Sequence, residues 1–115
     1  MTEVHAVLER VTRVTGVRGA LVASASDGLV VAEQLMDGVD GRAAAALAGS
    51  LVSRLVRTAA AAGRSTPGFM QLRAERGSIL AAPGAADLVL IAVAGPDANV
   101  GHARLEMLDA ASRLG

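Results

Sequence analysis

The sequence predicts an α/β protein of the α+β type, with a five-stranded, mainly antiparallel sheet and helices on both of its faces. Three observations carry this reading. Ser26-Asp27-Gly28 sends one apolar run back into another. Asp-Gly between β-formers marks a hairpin, because the turn needs a positive φ that glycine adopts without steric cost. The runs 17–24 and 88–93 are apolar at both strand parities, so each is covered on both faces. Between them lies an alanine-rich stretch with helical periodicity, residues 41–62.

The elements follow in order. Residues 2–15 read as an amphipathic helix, with Val4, Val7, Leu8, Val11 and Val14 on one face. Thr2 can cap its start, Gly16 can end it, and Glu9 with Arg13 forms a supportive i,i+4 pair. Strands follow over 17–24 and 29–35. Asp40 is placed to cap the second helix, since a carboxylate there accepts orphan backbone N–H groups at the positive helix end. That helix runs to about Ala62 and stops at Gly63.

On a helical wheel, Leu47, Leu51, Leu55, Ala44, Ala45, Ala48, Val52, Val56 and Ala59 fill half of the second helix and are expected to be buried. The other half mixes Ala46, Gly49, Ser50, Ser53 and Ala60 with Arg42, Arg54 and Arg57. A helix apolar on one half and small on the rest calls for two neighbours.

A loop over 63–68 leads to a third strand over 69–75. Phe69, Gln71 and Arg73 face one way there, and Met70, Leu72 and Ala74 the other. Glu75-Arg76-Gly77 turns into a fourth strand over 78–82, and Pro83-Gly84 into a fifth over 88–93. Asp97 or Asn99 caps a last helix that reaches Arg113, with Val100, Ala103, Met107, Leu108, Ala111 and Leu114 as its buried stripe. Every direct strand-to-strand link is hairpin-like, so most pairs are antiparallel. The doubly apolar first and fifth strands belong side by side at the centre, with the second and third outermost.

At 115 residues and 52% apolar composition, the chain supports one domain, 1–115, and one that is not disordered. The longest charge-free stretch, from Arg42 to Arg54, is far short of a membrane span, so no membrane insertion is expected. There is no cysteine, hence no disulfide framework and no thiolate chemistry. The N-terminus lacks a basic-then-apolar signal pattern, and a cytoplasmic protein is expected. The basic residues are all arginine and alanine is abundant, as in a GC-rich, bacterial genome.

Net charge is zero but unevenly spread: −3 over residues 1–41, +5 over 42–74, where there is no acid, and −2 over 75–115. A central basic block in a neutral chain suits an anionic partner or an acidic protein surface.

This element order, together with Gly16-Val17-Arg18-Gly19-Ala20-Leu21-Val22, Asp27-Gly28-Leu29-Val30, Leu88-Val89-Leu90-Ile91-Ala92-Val93 and the stretch from Asn99 to Met107, resembles the roadblock/LC7 domain family over nearly the whole chain. The resemblance implies one long helix, the second, on one face of the sheet, and the first and third on the other. It implies a non-enzymatic dimeric scaffold, and in bacterial members a regulator of a Ras-like small GTPase that engages the second-helix surface. Members usually dimerise by joining third strands and packing second helices side by side. Here that lands on Phe69, Met70, Gln71, Leu72 and Arg73, and on Ala46, Gly49, Ser50 and Ser53. Arg42, Arg54 and Arg57 are the residues expected to meet the partner.

Catalytic chemistry finds little support. His5 and His102 are the only histidines and have no matching carboxylate pattern for a metal site. Arg64-Ser65-Thr66 lacks the lysine and the preceding strand of a phosphate loop. Asp27 is explained by its turn, and no serine has a readable His–Asp pair. No cofactor is expected. Phe69 is the only aromatic residue, so base stacking has almost no platform and a nucleic-acid partner is not expected. A small-molecule sensor is the alternative, and it requires a sizeable apolar pocket with convergent polar groups. A small hydrolase ranks last because candidate residues are so few.

Overall fold

The structure is a computed structural model and describes residues 2–65 and 67–114, with the side chain of Thr2 left out. The expected cap by the Thr2 side chain and the threonine of the 63–68 loop, Thr66, fall outside the described residues. The elements are α1 (Thr2–Thr12), β1 (Val17–Ser24), β2 (Val30–Leu35), α2 (Gly41–Ala61), β3 (Met70–Ala74), β4 (Gly77–Pro83), β5 (Leu88–Ala94) and α3 (Val100–Ala111). The sheet runs β2-β1-β5-β4-β3, with every neighbouring pair antiparallel. The expected order, with β1 and β5 central and β2 and β3 at the edges, is the observed one.

Alternation along the strands divides the interior into two cores. Ala20 and Val22 of β1, with Leu80, Leu90 and Ala92, face α1 and α3 and meet Leu8, Val11, Ala103 and Met107. Leu21 and Ala23, with Ala81, Val89 and Ile91, face α2 and meet Ala44, Ala45, Ala48 and Val52. The molecule is therefore three layers, with α2 alone on one side.

Local chemistry accounts for the element ends. Gly28 has φ +72°, and the Asp27 carboxylate accepts the Leu29 N–H (3.0 Å), closing the β1–β2 turn. Asp40 and Asn99 cap α2 and α3, accepting from the N–H groups of Ala43 and His102, each at 3.0 Å. Gly77 has φ +146°, and a Cβ there would lie 2.2 Å from the Ala94 carbonyl oxygen. Only glycine lets β4 start this close to the end of β5.

Two boundaries differ from expectation by more than one residue. The first helix ends at Thr12 rather than residue 15. β-branched Val11, Thr12, Val14 and Thr15 crowd its last turn, the Thr12 hydroxyl bonds back to the Leu8 carbonyl (3.0 Å), and tight turns carry Val14 and Val17. The last helix ends at Ala111 rather than Arg113, and Ala110 joins its buried face.

The α1–α3 layer is laced by ion pairs. Arg10 bridges Glu106 and Asp109, Arg13 pairs with Glu9 (3.1 Å), and Arg113 with Asp109 (3.4 Å). Hydrogen bonds to Asp109 and then Glu106 raise the Arg10 pKa, and the bond from Arg10 in turn lowers that of Asp109. Among the described residues no helix is long and apolar enough to cross a membrane.

Candidate functional site

The surface of interest is α2, the only helix on its side of the sheet among the described residues. At ~100° per residue its circumference divides into three strips. The strip on the sheet is made of Gly41, Ala44, Ala45, Ala48, Gly49 and Val52. These are small because the helix lies close. A Cβ on Gly41 would meet the Leu35 side chain at 2.7 Å.

This corrects the expected burial of the leucines. Leu47 and Leu55 are exposed and Leu51 is half-buried. Together they form a second strip that leans toward β3. With Met70, Leu72, Ile79 and Ala81, Leu51 and Leu55 line an apolar groove of about 110 Å³. That is well below the ~300 Å³ at which small-molecule pockets begin, so this groove does not serve the sensor reading; four open clefts of about 390–490 Å³ lie elsewhere, one of about 430 Å³ between Val52, Val56, Ser26, Ser53, Arg57 and Asp87. A clue was present in the sequence: Leu47, Leu51 and Leu55 are spaced i, i+4, i+8, offset from the stripe of Ala44, Ala48 and Val52.

The third strip carries Arg42, Ala46, Ser50, Ser53, Arg54 and Arg57, and borders the β1–β2 turn. All three arginines are exposed. The turn backbone lies against the helix: a Cβ on Gly49 would sit 3.6 Å from the Ala25 carbonyl oxygen and 3.7 Å from the Gly28 Cα. The Ser53 hydroxyl donates to the Ala25 carbonyl (2.9 Å). Arg54 and Arg57 flank the cleft so formed, with Ser26, Asp27, Ser50 and Ser53 on its walls. The Arg57 Nε donates to the Ser53 carbonyl (3.3 Å).

The residues expected at a dimer contact therefore divide. Gly49 is buried against the chain's own turn, Ser53 is tied to it, and Phe69 is half-buried in the α1–α3 core. Met70 packs partly into the α2 core. Ala46, Ser50, Gln71, Leu72 and Arg73 remain exposed, with the Gln71 amide reaching the Ser78 hydroxyl (3.4 Å).

The arginines of the two layers differ in their company. Every salt bridge among the described residues lies on α1, α3 or the residues that directly follow them, and of the arginines there only Arg104 is in none. Arg42, Arg54 and Arg57 take part in none, so their charge is directed to solvent.

One group escaped sequence reasoning. Ala86 and Asp87 both have positive φ, +57° and +63°, in the β4–β5 turn. Asp87 reaches across to the β1–β2 turn, where its carboxylate accepts the Ser24 hydroxyl (3.1 Å) and the Ser26 N–H (3.2 Å). Bonding from Ser26, by its side chain and its amide, and from Ser24 holds the Asp87 carboxyl below its ordinary range. The Asp87 carbonyl accepts the Ala25 N–H (2.8 Å). The turn beneath Arg57 is thus braced from below.

His5 and His102 are both exposed, His102 lying 3.5 Å from Glu106. Among the described residues no three His, Asp or Glu side chains gather as a metal-binding group.

Residues 3–94 match the profile of the roadblock/LC7 domain. The chain belongs to the roadblock/LC7 family. An uncharacterized protein of Methanocaldococcus jannaschii, MJ0310, is 31% identical over 108 residues, covering 94% of this chain and 93% of the relative. MglB of Myxococcus xanthus superposes with a TM-score of 0.84 at 17% identity, over 98% of this chain and 92% of that one. An MglB solved in a tetrameric arrangement gives 0.82 at 23% identity, over 96% and 84%. These likenesses establish the shared fold.

Proposed function

We propose that this protein is a non-enzymatic, homodimeric adaptor that regulates a Ras-like small GTPase in the cytoplasm, acting through protein–protein binding. The observation that carries the reading is the set of unpaired arginines on α2. Arg42, Arg54 and Arg57 share one strip of a helix and make no salt bridge among the described residues. Charge left exposed in this way complements an acidic protein surface and speeds encounter with it.

Dimerisation rests on a different flank of the same helix. Leu47, Leu55 and Leu72 leave apolar surface beside the open edge of β3. An uncovered edge strand is a template for pairing. Joining two β3 edges would complete the sheet and bring the leucine strips of two α2 helices together. The interface so proposed keeps Leu72, Gln71 and Arg73 and adds Leu47, Leu51 and Leu55, while Ala46 and Ser50 lie nearer the arginine strip. Membership of the family and the tetrameric arrangement of one MglB support a self-associating scaffold.

The experiment is a pull-down from native lysate with tagged protein, in GDP and in a non-hydrolysable GTP analogue, read by mass spectrometry. Enrichment of a Ras-like GTPase, stronger in one nucleotide state, supports the proposal; absence of any GTPase in both overturns it. With the partner identified, Arg54→Glu is expected to weaken binding at least about tenfold, or ~1.4 kcal/mol, with the oligomeric state unchanged. Unaltered affinity would remove the arginine face from the contact.

A further inference from the structure

We propose that the outer edge of β2 is a second docking site, which takes an extended basic segment of a partner protein as a sixth strand of the sheet. The inference does not depend on the α2 surface, since β2 lies at the opposite edge of the sheet from β3.

The backbone comes first. β2 pairs with β1 on one side only. The Met36 N–H donates to the Arg18 carbonyl (2.9 Å). In an antiparallel ladder, residues alternate between bonding the neighbour and pointing away. Counting back from Met36, the N–H and C=O of Glu33 and Leu35 point away from β1, and they have no backbone partner among the described residues. A bulge opposite Ala23 bends the start of the strand, and the register is regular from Ala32 to Leu35.

Edges are normally blunted by charged side chains, above all lysine, by proline, by a bulge or by a covering element. β2 reads Val-Val-Ala-Glu-Gln-Leu, with neither lysine nor proline, one charge at Glu33 and a bulge only at its start. Among the described residues seven large apolar side chains are exposed, and Leu29, Val31 and Met36 on this strand and its ends are three of them. Leu29, at 66%, is the most exposed of all.

Charge selects the occupant. From Gly19 to Gly41 the chain holds Asp27, Glu33, Asp37 and Asp40 and no Lys, Arg or His. The guanidinium of Arg18, the preceding base, is turned onto Gly95 beside Asp97, away from this edge. Asp27 caps its own turn in the cleft of Arg54 and Arg57, and Asp40 caps α2, so the carboxylates open to an occupant are Glu33 and Asp37, which make no salt bridge among the described residues. Two β2 edges from separate copies would set acid against acid, and like charges across strands oppose pairing. A strand alternating apolar residues with arginine or lysine meets the exposed Leu29 and Val31 and the carboxylates together, while its backbone takes up the free ladder groups.

The test uses the whole chain and three acetylated peptides of about ten residues. One alternates valine and arginine, one is the same peptide N-methylated at alternate amides, and one has glutamate for arginine. Affinity is read by titration, and the position of binding by amide hydrogen exchange. The first peptide is expected to bind and to slow exchange at Glu33 and Leu35. The N-methylated peptide keeps the charge and loses the ladder, so it binds at least about tenfold more weakly, and the glutamate peptide does not bind. Arg54→Glu leaves all of this unchanged, whereas Glu33→Lys with Asp37→Lys weakens it.

Equal binding of the methylated peptide would mean charge attraction without strand addition, and would overturn the proposal. So would protection at β3 instead of β2, or no binding at millimolar peptide. Protection of β2 without peptide, with a mass rising with protein concentration, would identify a second copy of the chain as the occupant and equally overturn it. The peptide comparisons use the native chain, so the outcome stands even if the charge-reversed variant fails to fold.

Discussion

Replacing Leu55 with alanine tests the proposed dimer on the leucine strip that the monomer leaves partly uncovered. Leu47, Leu55 and Leu72 retain 43%, 40% and 41% of their surface in the isolated chain. Complete burial of a leucine contributes about 1.5–3 kcal/mol, so covering the remaining two-fifths contributes about 0.6–1.2 kcal/mol each. A two-fold interface buries every such residue twice. Leu55→Ala therefore removes about 1–2 kcal/mol per dimer, which weakens association about 5- to 30-fold. Sedimentation equilibrium over a dilution series reads the dissociation constant, and circular dichroism checks that the fold persists. A constant within about twofold of the native value, with the fold intact, would refute packing through the leucine strip. A native chain that stays monomeric at hundreds of micromolar (roughly the range in which a functional homodimer must form) would refute the dimer itself.

Three further predictions concern the frame that holds these surfaces. Asp40→Ala removes the cap of α2 and is expected to cost about 1 kcal/mol, seen by calorimetry as a fall in Tm of about 4 °C; an unchanged Tm would mean the cap contributes nothing. Gly77→Ala places a methyl on the Ala94 carbonyl at a positive φ. Strain and overpacking together predict a loss of about 3 kcal/mol or more, read from the urea midpoint, and a midpoint like that of the native chain would mean the turn can shift aside. The folded-state pKa of Asp87 is depressed below its ordinary 3.8, so its contribution is complete above that value and lost as pH falls through the lower, folded value. Asp87→Asn, which tolerates the positive φ, should lack this part of the acid-induced loss when urea midpoints are followed from about pH 5 to 2. Parallel acid limbs in the two proteins would show that the brace carries no net free energy.

Much of the fold is legible before any coordinates because it rests on local chemistry. The turn at Asp27-Gly28, the caps at Asp40 and Asn99, and the double-sided apolar runs of β1 and β5 each follow from a few adjacent residues. Strand order then follows, since hairpin links and two doubly covered strands leave few arrangements. The end of α1 was less legible, because a β-branched cluster and an unwinding turn compete within a few residues.

The sequence by itself determined the elements, their order and the basic character of α2. Only the tertiary structure decided which flank of that helix meets the sheet. A wheel gives the angular order of side chains but not the rotation of the helix on its support. A helix lying close to a sheet accepts only small residues, so Gly41, Ala45 and Ala48 occupy the contact and Leu47 and Leu55 are turned outward. The joining of Asp87 to Ser24 and Ser26 was likewise beyond the sequence. Those residues are separated along the chain by more than half its length, and the antiparallel pairing of β1 with β5 is what brings their turns to the same end of the sheet.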